Sequence, residues 1–90
     1  MTNAQDPIPK TLMPLSLVPA NATVVLQRVR GGQGVNTHLA AMGLLPGVRI
    51  DVRHNDLRGP VLIGLNDSRL ALGRGMAQKL YVQEDSEQQD

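Results

Sequence analysis

Between residues 48 and 53 the chain alternates without exception. Val48, Ile50 and Val52 are apolar, and Arg49, Asp51 and Arg53 between them are charged. A period of two sends the two sets to opposite faces of a strand, one buried and one wet. Residues 23–30, rich in Val and Thr, predict a second strand. A third begins at Pro60, where a missing N–H is tolerable, and points Val61, Ile63 and Leu65 one way and Leu62, Gly64 and Asn66 the other. Leu70 and Leu72, alternating with Arg69 and Ala71, predict a fourth. Leu80 and Val82, with Tyr81 opposite, predict a fifth.

Only one segment has convincing helical spacing. Val35, Leu39 and Met42 recur at i, i+4 and i+7, which predicts a helix over residues 35–42. Asn36 or Thr37 is placed to cap its start, and Gly43 follows where a left-handed residue ends a helix. Pro46-Gly47 suits the centre of a type II turn, because Pro presets φ and Gly accepts a positive one. Residues 19–22, 55–59 and 66–68 read as further turns, and 73–78 as a single helical turn. Five short strands, tight turns and one small helix predict an all-β antiparallel barrel, whose closure would remove exposed edges. The expected domain is 15–83. Residues 1–14, with three prolines, and 84–90, entirely polar, are expected to be a disordered leader and a disordered acidic tail.

Ninety residues allow one domain. With no Phe or Trp and Tyr81 as the single aromatic, its core has to be aliphatic. The absence of Cys excludes disulfides, thiolate catalysis and Cys-based zinc sites, and fits a reducing compartment. No apolar run reaches the ~18 residues of a membrane span, and no secretory signal opens the chain. Residues 15–83 hold eight basic side chains against three acidic ones, a net +5, whereas 84–90 carry −4. Either the basic domain meets an acidic partner, or its scattered arginines simply solvate strand exteriors. The opposite signs also predict that the tail folds back on the domain.

Few residues carry chemistry. No serine lies in a nucleophile motif, and His38 and His54 have no catalytic neighbour in sequence. Gly31-Gly32-Gln33-Gly34 lacks the spacing and lysine of a phosphate loop. No His pair has metal-ligand spacing, so no cofactor is expected. The candidates for a weak divalent-metal site such as Fe(II) are His54 with Asp56 and, separately, His38. One aromatic is too few for a base-stacking platform, so nucleic acid is not an expected partner. A protein-contact surface remains. Leu44 and Leu45 follow the helix directly, and either one stands exposed as part of an apolar patch or both fold under the helix. Leu39, Met42, Leu44 and Leu45, with Arg49 and Arg53 on the neighbouring wet face, are the candidate contact residues.

The run from His38 to Val52, HLAAMGLLPGVRIDV, resembles the signature of the FeoA family: a short helix, Met-Gly-Leu, Pro-Gly and an alternating strand. Gly59-Pro-Val-Leu-Ile63, Ser68-Arg-Leu-Ala-Leu72, Ala77 and Leu80-Tyr-Val82 follow in family order, so the resemblance spans about residues 15–83. It implies an SH3-like barrel and a cytoplasmic accessory protein of ferrous-iron uptake, brought to the inner face of the membrane through its partner. The implied partner is a FeoB-like membrane transporter, contacted at its cytoplasmic GTPase part without membrane insertion. The same domain forms the C-terminus of iron- and manganese-dependent repressors, so a stand-alone metal-sensing module is the alternative. Two segments depart from the family pattern. The hairpin Asn55-Asp-Leu-Arg-Gly-Pro60 replaces the usual Ala-Pro-Leu-Gly-Asp-Pro, and Gly73-Arg-Gly-Met-Ala77 replaces a basic helical stretch.

Overall fold

The computed structural model describes residues 12–85. Its strands are β1 (Met13–Pro14), β2 (Thr23–Val29), β3 (Arg49–His54), β4 (Val61–Leu65), β5 (Ser68–Leu72) and β6 (Leu80–Glu84). Two helices, α1 (Gln33–Ala41) and α2 (Arg74–Ala77), and a 3-10 turn at Leu15–Leu17 complete it. All pairings are antiparallel, in the order β1-β6-β2-β3-β4-β5. Thus β2 to β5 form a meander, and β6 returns to the free side of β2. This is the all-β antiparallel architecture the alternating pattern predicts, in the SH3-like form the resemblance implies, with one correction. The ladder does not close, because β1 and β5 remain its two ends. A two-residue β1 is too short to bridge to β5, and the 3-10 turn and α2 pack against each other instead.

The domain is longer than expected at both ends. Met13 and Pro14, assigned to the leader, pair with Val82 and Tyr81. Pro14 is tolerated because β1 is an edge strand. Glu84, assigned to the tail, ends β6, and the Asp85 amide donates to the Thr23 carbonyl at 3.1 Å. The disorder expected of 1–11 and 86–90 concerns positions outside the described residues.

The core consists solely of Leu, Val, Ile and Ala, including Leu15, Leu26, Leu39, Ile50, Ile63 and Leu80, all at 0% exposure. Each strand supplies it with alternate residues. α1 adds Leu39, with Val35 and Met42 packed at the margin, which is the face its spacing predicts. The helix starts two residues before the predicted position. Gly32 is its N-cap, and Asn36 and Thr37 lie inside it, where the Asn36 amide already bonds the Gly32 carbonyl at 3.1 Å. Neither is a cap.

The C-terminus of α1 orients everything that follows. Gly43 has φ +91°, the Leu44 amide donates to the Leu39 carbonyl at 2.9 Å, and the Gly43 amide donates to Ala40 at 2.9 Å. This pair of bonds is a Schellman motif, and its usual apolar contact is supplied here by Leu39 and Leu44, both in the core. Gly47, at φ +98°, then turns the chain into β3. Nothing but Leu65, at 3.9 Å, lies near a Cβ added at Gly43, so a substitution there tests backbone conformation alone. Gly43→Ala is expected to lower the unfolding free energy by about 1–2 kcal/mol, measured by urea denaturation.

Candidate functional site

Because the Schellman motif turns Leu44 inward, the next side chain has to face out. Leu44 is 1% exposed and Leu45 53%. The loop is stapled to β2 by backbone bonds from Gly47 N to Leu26 O (2.7 Å) and from Leu26 N to Val48 O (2.9 Å). Leu45 and Pro46 form one wall of a groove of about 320 Å³, whose other walls are Gln27, Arg28 and Val29 of β2 and Asn36 of α1. An exposed leucine on a pinned loop, beside an exposed arginine, is an apolar anchor with a basic flank. Little conformational entropy is left to lose when a partner covers it.

The six expected contact residues do not form one surface. Leu39 and Leu44 are core, a correction that follows from the helix phase and the Schellman turn. Met42 is half-buried against that core. Arg49 Nε lies 2.8 Å from Asp85 Oδ2, a carboxylate 3% exposed, so this arginine joins the start of β3 to the end of β6. Arg53 lies over Gly64 on the face of β3 and β4. Of the apolar four, only Leu45 is exposed.

The metal candidates also separate. His54 Nε2 is 3.6 Å from Asp56 Oδ2, both side chains being more than half exposed. The Asp56 carboxyl lies below its ordinary pKa, chiefly because it accepts the Arg58 amide N–H, with His54 adding a smaller effect. His38 sits exposed on α1. Among the described residues, no three His, Cys, Asp or Glu side chains gather as a metal site would require.

One arrangement was not anticipated from the sequence. Asn55 Nδ2 donates to the carbonyls of Ser16 (2.9 Å) and Val18 (2.8 Å), while its Oδ1 accepts from the Leu57 amide (3.1 Å) and from Arg74 Nη2 (2.7 Å). Arg74 also donates to Ser16 O and Gly59 O, each at 3.1 Å. The network ties the 3-10 turn, the β3–β4 loop and α2 together, and it holds Leu57 at φ +72° and 64% exposed. An Asn opening a turn was visible in the sequence. Its partners, some forty residues upstream and twenty downstream, had no local signal.

These features define a small SH3-like β domain with an apolar anchor on a rigid loop. A family model described as the FeoA domain matches residues 13–84. A protein of Methanocaldococcus jannaschii, "Putative Fe(2+) transport protein A", is 34% identical over 73 residues, covering 81% of this chain and 88% of that one. The crystal structure of an iron uptake regulatory protein (FeoA) superposes with a TM-score of 0.78 at 29% identity, covering 83% of this chain and 100% of the other. A manganese-dependent transcriptional repressor shares the fold, with a TM-score of 0.76 at 18% identity over 88% of this chain and 44% of the repressor. The chain belongs to the FeoA domain family, whose members are accessory proteins of iron transport. No helix among the described residues is long and apolar enough to cross a membrane.

Arg74→Ala removes three hydrogen bonds at once. It is expected to cost about 2–3 kcal/mol in chemical denaturation. Arg74→Lys should recover only part of this, since one ammonium cannot replace a planar fork that reaches three acceptors.

Proposed function

We propose that this chain assists ferrous-iron import by docking on the cytoplasmic GTPase part of a FeoB-like transporter. The observation that carries this reading is the continuity of the family match over residues 13–84, which includes every described strand and the Leu45 loop. The name of the M. jannaschii relative supports the iron-transport context. The contact centres on Leu45 and Pro46, with Arg28 beside them to meet acidic groups at the rim. Burying an exposed leucine contributes about 1.5–3 kcal/mol, enough to dominate a small interface. The protein acts in the cytoplasm, beside the inner face of the membrane, and catalyses no reaction of its own.

The binding test uses the purified GTPase part of such a transporter, immobilised with and without guanine nucleotide. The wild type should be retained, and Leu45→Asp should weaken retention at least tenfold while its circular dichroism and melting temperature stay unchanged. Retention of Leu45→Asp at wild-type strength would overturn the contact surface; no retention of the wild type in either nucleotide state would overturn the partner.

This reading assigns the domain no resident metal. Saturating Fe(II) or Mn(II) under anaerobic conditions should therefore leave the melting temperature unchanged. A rise would reveal a metal bound only by the native state and would favour a metal-sensing module instead.

A further inference from the structure

A second surface lies on β4 and β5, apart from the Leu45 groove. β5 is an end of the sheet, and its five residues pair without interruption to β4, from Ser68 opposite Leu65 to Leu72 opposite Val61. Its other side takes no backbone hydrogen bond among the described residues. Edge strands are normally blunted by short length, charged side chains, Pro, a bulge or a covering loop. β5, Ser-Arg-Leu-Ala-Leu, has no Pro, no Lys and no bulge. Its one charged side chain is Arg69, and its free side is an open edge for another extended chain.

The face beside this edge carries two arginines against one carboxylate, Asp51, which pairs across from Gly64 and accepts a hydrogen bond from the Thr23 hydroxyl at 2.9 Å. The pairing of β3 with β4 shifts between Val52 and His54, so Arg53 is the extra residue of a bulge. Bulges re-aim side chains. Here a Cβ added to Gly64 would meet Arg53 Nε at 3.0 Å, so the guanidinium lies over this glycine. Arg69 is the cross-strand partner of Gly64 and projects from the same face. Two arginines thus converge on one glycine, and neither has an ion pair among the described residues. The two arginines also line a groove of about 290 Å³ with Leu62, 41% exposed, Ile63, Leu70 and Ala71.

We infer that β5 accepts an added strand from a partner protein, an extended segment in which acidic and apolar residues alternate. The period of two dictates this composition. On one face of the added strand, carboxylates reach Arg69 and Arg53. On the other, apolar side chains cover half-buried Leu70. Backbone hydrogen bonds to β5 supply affinity, and the alternate side chains supply specificity. The site stands whether or not the transporter is the partner, because it uses neither Leu45 nor Arg28.

The probe is a fluorescent peptide of four Glu-Val repeats, added to the full chain labelled with ¹⁵N. Binding should shift the amide resonances of residues 68–72 and protect them from solvent exchange. The double variant Arg53→Glu/Arg69→Glu, whose mutated side chains are both exposed, should weaken binding at least tenfold with the rest of its spectrum unchanged. A Lys-Val peptide should not bind, and N-methylation of alternate peptide amides, which leaves the protein untouched, should abolish binding in one of its two phases. No binding of the Glu-Val peptide, shifts confined to other strands, or equal binding by the double variant would each overturn the inference. Concentration-dependent pairing of the chain with itself through residues 68–72, without peptide, would replace the partner segment with a second copy.

Discussion

Asn55 is where the parts of this domain that are not sheet become one structure. The sheet's ladder does not close, and outside it the chain forms a 3-10 turn and a four-residue helix that pack against each other. Neither is stable alone, since isolated helices shorter than about 12 residues are marginal in water. One amide side chain, with both donor bonds and its acceptor oxygen in use, joins the turn to the β3–β4 loop, and Arg74 joins α2 to both. The Gly-rich composition of 73–77 disfavours a helix. Three side-chain hydrogen bonds from Arg74 offset that preference. Both departures from the family pattern, the hairpin at 55–60 and the stretch at 73–77, meet in this network.

The aliphatic core imposes a second constraint. Without large aromatic side chains to anchor the layers, close fit depends on register, and register depends on the turns. The Schellman motif after α1 is the most consequential of these. It buries Leu44 beneath the helix and by the same rotation exposes Leu45. Stability and recognition are therefore coupled at adjacent residues, and only the second can be altered without harming the first.

The arginines show how a modest net charge takes on local meaning. Arg49 is drawn to the buried carboxylate of Asp85, Arg74 is spent on backbone carbonyls, and Arg30 lies 5.8 Å from the ring centroid of Tyr81. Arg53 and Arg69 are left together over Gly64. The same residue type thus serves as clasp, lock, ring partner and exposed charge, according to what the fold places opposite it.

The sequence by itself determined the strands, the main helix, the glycine turns at 43 and 47 and the aliphatic core. Each follows from local rules: a period of two or 3.6, or a positive φ that favours glycine. The resemblance carried by the block at residues 42–47 and the strands after it extended this to the family. Tertiary structure alone decided which of Leu44 and Leu45 faces water, that β1 and Asp85 belong to the domain, and that the sheet stays open. It also decided which arginines are engaged. These outcomes depend on contacts between residues distant in sequence, such as Arg49 with Asp85 or Arg74 with Ser16, and no local pattern of hydrophobic and polar positions encodes them.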